Sequence, residues 1–363
     1  MIGGAGPASL APVTTPPDGG SCRACPVRCE RVVYPARCVQ QGCERLYAHR
    51  DGGITWLGCV DKVFTPSRVK KMESYIGEVV SDLVDEVIGR GAIEFCKELA
   101  VRIPTYIIPD QLGMPRGDYA TFKRWSDATI DALGGGLDAE TSAAVEASIV
   151  EFAQYFFPVI AERRVERGTD LLSLLVDPAH GDTLTDGELV SFAILLLVAG
   201  NETTRTAISH GMWALQNHPD QQALWRSDFD THAVNAVEEI VRWATPVVSF
   251  RRTVTQDVRI GERDFTEGEK VVMYYNSANR DERQFERPFE FDITRSPNPH
   301  FGYGGGGAHF CLGANLARRE IRVMFEEIFR VLPDLHITGE PEMLQSGFIH
   351  GIKRMPCAFT PRG

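Results

Sequence analysis

No apolar run in this 363-residue chain approaches membrane-spanning length. The longest, Phe192 to Gly200, covers less than half of a span. No basic start is followed by an apolar stretch, so no secretory signal is evident, and no internal repeat is visible. Net positive charge is also missing. The formal charge is −11, which argues against non-specific binding to nucleic acid. Lysine is absent until Lys62, and cysteine is scarce after residue 60, where only Cys96, Cys311 and Cys357 occur. With 43% hydrophobic residues, the chain can bury one large core.

These absences split the chain. Residues 1–59 hold Cys22, Cys25, Cys29, Cys38, Cys43 and Cys59 among arginine, glycine and proline, with no helical or alternating apolar period. Three readings of this segment stand: a small metal-binding module, a disordered tail, or an out-of-frame or wrongly started sequence. From Val60 to residue 363 the composition is that of an ordinary globular enzyme. Apolar spacing predicts helices over 67–90, 93–112, 119–133, 140–167, 171–175, 220–225, 233–243 and 314–332. A capping box at Thr185 and Glu188 predicts the longest helix, running to about Asn217. Strands are expected over 249–258 and 270–274, and a hairpin over 348–358.

Two motifs carry chemistry. The run His300-Phe301-Gly302-Tyr303-Gly304-Gly305-Gly306-Gly307-Ala308-His309-Phe310-Cys311-Leu312-Gly313 leads straight into a helical pattern. Its glycines let backbone approach a flat ligand closely. A cysteine at a helix N-terminus has its thiolate favoured by the dipole, and a fixed thiolate is a strong axial donor to haem iron. The second motif, Ala199-Gly200-Asn201-Glu202-Thr203-Thr204, lies inside the longest predicted helix. Glycine there costs about 1 kcal/mol relative to alanine. A neighbouring hydroxyl bonding back to the preceding turn would open a groove for dioxygen and water.

The cysteine run resembles the haem-binding signature of the cytochromes P-450, with one extra glycine and with Tyr303 where the family has phenylalanine. Residues 60–363 resemble the bacterial members, in particular those that hydroxylate terminal methyls of steroid side chains and methyl-branched lipids. The resemblance implies a mainly α fold with a minor β part, N-terminally incomplete in this chain. It implies a cytoplasmic mono-oxygenase binding haem b (iron protoporphyrin IX) and O₂, with NAD(P)H electrons relayed by a ferredoxin and its reductase. It assigns Cys311 as axial ligand, Glu202 and Thr203 as the proton relay, and Arg252 and His309 as propionate partners. Ala199, Gly200, Gly304, Gly305 and Gly313 would line the cofactor. Glu239 and Arg242 form the Glu-x-x-Arg pair that braces the cysteine loop. Glu290 stands where relatives often place a third basic member, leaving Arg280 or Arg287 as candidates.

Val198, Val247, Val248, Phe348 and Ile349 are expected to face a hydrophobic substrate. Arg318, Arg319 and Arg322 form a candidate docking patch for ferredoxin. The His and Arg that the family places before Val60 have no counterpart in Gly52 to Cys59, so reduced haem affinity is expected. Two other readings remain open: a truncated, non-catalytic relic with weak or no haem binding, and a degenerate haem domain carrying the N-terminal metal module.

Overall fold

The structure is a computed structural model that describes residues 64–134, 139–177, 184–305 and 310–362, with the backbone of 27–28, 46–48 and 54–56. Cys22, Cys25, Cys29, Cys38, Cys43 and Cys59 lie outside the described residues. Helices are α1 (Pro66–Lys71), α2 (Glu73–Asp85), α3 (Arg102–Gln111), α4 (Tyr119–Gly134), α5 (Ala139–Val165), α6 (Leu171–Val176), α7 (Asp186–Asn217), α8 (Pro219–Ser227), α9 (Phe229–Ala244), α10 (Tyr275–Ala278) and α11 (Ala314–Val331). Strands are β1 (Val27–Arg28), β2 (Leu46–Ala48), β3 (Ile54–Trp56), β4 (Ala92–Glu94), β5 (Ser249–Val254), β6 (Val258–Ile260), β7 (Arg263–Phe265), β8 (Lys270–Tyr274), β9 (His336–Ile337), β10 (Glu342–Met343), β11 (Ile352–Arg354) and β12 (Pro356–Ala358). The architecture is mainly α with a minor β part.

Helix α7 is fixed at its first turn. Thr185 Oγ1 accepts the Glu188 N–H at 3.3 Å, and the Glu188 carboxylate accepts the Thr185 N–H at 2.8 Å. This reciprocal cap satisfies donors that a helix start otherwise leaves orphaned. The helix then runs 32 residues, about 48 Å, through the middle of the core. Helices α3, α4, α5, α9 and α11 pack around it. Approach is closest at Gly211, where an added Cβ would lie 2.8 Å from the Phe325 ring of α11. A side chain there would drive α7 and α11 apart. Phe325, Leu215, Ile208 and Phe192 are all within the core, each contributing roughly 2–3 kcal/mol by leaving water.

Helix α5 is long and apolar enough over Ser142–Val165 to cross a membrane by length and composition alone. It instead turns Phe152, Phe156 and Ile160 into the core and packs on α4, α6 and α7, as a helix of the fold.

Four expected elements differ. The helix over 67–90 divides at Met72 into α1 and α2. The helix over 93–112 begins as strand β4, passes through a wide turn at Cys96–Ala100, and only then becomes α3. β4 is held as a strand by antiparallel pairing with β12, Ile93 opposite Cys357. The expected hairpin over 348–358 is two strands in different sheets. β11 pairs with β10, while β12 lies between β4 and β9. The strand expected over 249–258 stops at Val254, after pairing Ser249–Thr253 with Tyr274–Lys270.

Candidate active site

The site rests on one buried carboxylate. Glu239 and Arg242, three apart on α9, are both fully buried and bonded twice at 2.7 Å. A buried pair survives only where further hydrogen bonds compensate for lost water. Arg242 also donates to the carbonyls of Asn279, Pro288 and Glu290, at 2.8, 2.9 and 3.0 Å. Glu239 additionally accepts from Arg295 at 3.1 Å, Asn298 at 3.1 Å and the Asp292 N–H at 2.9 Å. The third basic member is therefore Arg295. Arg280 bonds the Trp243 carbonyl instead, and Arg287 pairs with Glu290 and Asp292 near the surface. Arg295 escaped notice because it is one arginine among several in a segment without a period. Only its burial marks it.

This brace fixes the cysteine loop. The Asn279 side chain accepts the Phe301 N–H at 2.6 Å, and the Tyr303 carbonyl accepts the Cys311 N–H at 2.9 Å. Gly304 takes φ +90°, open only to glycine at low cost. A Cβ on Gly305 would lie 2.6 Å from the Phe301 ring. Gly313 is the residue on which α11 starts. The Cys311 side chain is open to solvent although much protein surrounds it. Burial pushes its thiol up, while the N–H groups of Gly313 and Ala314 and the Arg318 guanidinium pull it back only in part. The helix start thus favours thiolate as expected, but desolvation outweighs it. His309 lies outside the described residues. Among the described residues the Tyr303 hydroxyl is buried without a partner, and Arg318 stacks 4.3 Å above its ring.

On α7 the oxygen-side motif is asymmetric. Thr203 Oγ1 donates to the Ala199 carbonyl at 2.7 Å on a face where Ala199 is exposed between buried Leu197 and Asn201. Gly200 lies close against α3, and a Cβ there would sit 2.9 Å from Ile108 Cδ1. Glu202 is buried, with both oxygens 2.9 Å from Arg205 Nη1. Arg205 was legible from the i,i+3 spacing that revealed Glu239 and Arg242, and was missed. The next hydroxyl, Thr204, bonds Glu320 of α11. That places the motif against the helix that Cys311 precedes, nearly two turns or about 9 Å along it.

Val247 bridges Ile349, Phe348 O accepts the Val248 N–H at 2.8 Å, and the Phe250 and Phe348 rings are 5.6 Å apart. Four expected substrate residues are thereby brought into one wall. Val198 comes from α7, on the turn before the motif.

The three arginines of α11 do not form a free patch. Arg318 bonds Glu238 at 2.5 and 3.0 Å, Arg319 bonds Glu73 at 2.5 Å, and Arg322 bonds Asp230 at 2.7 Å. Each positive charge meets an acid from α9 or α2, or from the start of α9. Although burial alone would raise it, Glu238 is drawn down to about 2 by hydrogen bonds from His300 and Arg318.

The residues present fit a haem. Cys311 offers a reachable soft donor, and exposed Phe310 and Ala199 offer apolar surface for a flat ring. Arg252 lies 5.6 Å from the Phe250 ring centre and, among the described residues, pairs with no carboxylate, leaving a cation for an anionic substituent.

Comparison with known proteins agrees with this geometry. The cytochrome P450 family model matches residues 143–333. The methyl-branched lipid omega-hydroxylase of Mycobacterium tuberculosis (strain H37Rv) is 45% identical over 305 residues, 83% of this chain and 71% of that protein. The steroid C26-monooxygenase of Mycolicibacterium smegmatis is 39% identical over 306 residues, 84% of this chain and 70% of that protein. A Mycobacterium marinum cytochrome P450 solved in complex with pseudoionone superposes with TM-score 0.77 at 40% identity, covering 83% of this chain and 73% of that one. A thiol-bearing loop opening onto a helical core with this oxygen-side motif defines a haem-thiolate oxidoreductase. The chain belongs to the cytochrome P450 family, whose members among its relatives are mono-oxygenases of lipids and steroids.

Proposed function

We propose that this chain hydroxylates a terminal methyl of a methyl-branched lipid or steroid side chain. One oxygen atom of O₂ enters the C–H bond and the other leaves as water, consuming two protons and two electrons from NAD(P)H through a ferredoxin system in the cytoplasm. The relatives named above support the substrate class. The observation that carries the reading is the open Cys311 sulfur at the start of a helix packed against the Glu202–Thr204 turn.

Haem b, when bound, supplies dioxygen activation at iron carrying a thiolate whose electron push favours O–O cleavage. The chain's own residues do the rest. Cys311 provides the sulfur, and Arg252 and His309 hold the propionates. Gly304, Gly305 and Gly313 let backbone come close to the ring. Thr203, turned to the open face, holds a hydroxyl where a proton is required, and Glu202, after parting from Arg205, would take a proton from water and pass it to that hydroxyl. Val198, Val247, Val248, Phe348 and Ile349 exclude water and orient an apolar substrate.

The test is the difference spectrum of the reduced protein with carbon monoxide. The wild type should give the thiolate-ligated Soret band, and Cys311→Ser should lose it with the far-ultraviolet dichroism unchanged. A wild type that binds no haem would instead support the reading as a non-catalytic relic. Adding a methyl-branched fatty acid or a sterone should then shift the spin state. Silence across both classes would overturn the substrate assignment.

A further inference from the structure

We propose that Asn201 is a positioning residue that clamps the oxygen-side turn of α7 to its neighbouring helices and so sets where the Thr203 hydroxyl stands. The functional consequence rests on the mono-oxygenase reading, but the clamp itself does not.

Asn201 sits in the middle of α7, fully buried, where an asparagine has low helix propensity and a costly amide to satisfy. Its Nδ2 donates to Ser126 Oγ of α4 at 2.8 Å. Ser126, also fully buried, reaches back to the Leu197 carbonyl of α7 at 3.4 Å. The Asn201 Oδ1 lies 3.3 Å from Thr105 Oγ1 of α3. Thr105 has one hydroxyl proton, and the Val101 carbonyl at 2.7 Å takes the better share. The firm leg of the clamp is therefore Asn201 to Ser126.

Leu197 is four residues before Asn201, so Ser126 adds a second donor to the carbonyl that the Asn201 backbone uses in the helix ladder. Ala199 is four residues before Thr203, and the Thr203 hydroxyl adds a second donor there. Carbonyls 197 and 199 are thus both drawn outward, one from a neighbouring helix and one from within α7. A carbonyl shared in this way lengthens its ladder bond and bends the helix locally. Gly200 lies between them, packed too close to Ile108 for any side chain. On its buried side the turn is tied to α3 and α4, and on its open side it presents Thr203. A residue of the same size without an amide would fill the space, release the tie and leave the Ser126 oxygen without the donor it accepts from.

The experiment uses the full-length haem protein with Asn201→Leu, Ser126→Ala and the double variant. Hydrogen–deuterium exchange at residues 197–203 should quicken about tenfold in each single variant and by clearly less than the product of the two in the double, because the shared Asn201–Ser126 bond is already lost in either one. In turnover with a methyl-branched fatty acid, the share of reducing equivalents ending in product should fall several-fold. Hydrogen peroxide should rise to match, with KM changed less than about twofold. Should Asn201→Leu not fold, Ser126→Ala removes the acceptor for Asn201 together with the weaker donor to the Leu197 carbonyl and carries the test. Unchanged exchange at 197–203 in Ser126→Ala, or single effects that add in the double, would overturn the clamp. A wild type that yields no product defeats the functional reading while the exchange result still decides the clamp.

Discussion

Glu320 is a carboxyl in the core with, among the described residues, no cation beside it. One oxygen has no partner, the Thr204 hydroxyl serves the group, and burial pushes its pKa up to about 8. The folded value thus lies above the unfolded one of about 4.3, so the neutral acid is the form the fold accepts. Its contribution to stability is complete below the unfolded value and is lost as pH rises towards 8. Glu320→Gln keeps the shape and the hydrogen bond to Thr204 without the ionisation. In denaturant unfolding the variant and the wild type should agree within about 1 kcal/mol at pH 4, where both are neutral. At pH 8 the variant should be more stable by about 2–4 kcal/mol, from a shift of a few units at 1.4 kcal/mol each. Parallel stability curves would mean that Glu320 reaches water or a cation. Tyr303 is the companion case. Its hydroxyl, where the family has phenylalanine, is buried and unpaired among the described residues, and packing under Arg318 is what it gains in return.

The Glu239 cluster is what joins α9 to the segment running into the cysteine loop, and its members are unequal. Arg295 is 8% exposed and bonds Glu239 together with the carbonyls of Glu286, Arg287 and Glu290. Arg295→Leu should cost about 3–5 kcal/mol, since Glu239 would keep its charge with one partner fewer. Arg287, whose pair with Glu290 is half open to water, should cost under about 1 kcal/mol as Arg287→Ala. Chemical unfolding measures both, and equal losses would show that the brace does not depend on its buried arginine. The contrast follows what local sequence can encode. The Thr185–Glu188 cap, the length of α7 and the Glu239–Arg242 spacing are written within a few residues, and all three were readable. Arg295 acts across 56 positions, and β4 is a strand only because β12, more than 260 residues away, lies beside it. The Ile93 region is apolar at a spacing that suits either state, and tertiary pairing decided. The mistaken hairpin has a related origin, since β12 pairs with the distant β4 and with β9, while β11 pairs with β10 just before it in the chain.

Distance in the chain also explains why the arginines of α11 looked available. Arg318, Arg319 and Arg322 crowd one stretch of sequence, but Glu238, Glu73 and Asp230 reach them only in the folded molecule. Once paired, they add little to the field beyond a Debye length of about 10 Å at 0.1 M salt. What a distant partner meets is then the net charge of −11. An acidic ferredoxin approaching such a molecule is repelled at long range and held by short-range contacts at the docking face, the reverse of electrostatic steering. Stopped-flow reduction by an acidic ferredoxin decides between the two. With paired arginines the second-order rate should stay level or rise as sodium chloride increases from about 50 to 300 mM, as repulsion is screened. A fall of about tenfold or more over that range would mean that the ion pairs open on docking and that these arginines recognise the partner after all.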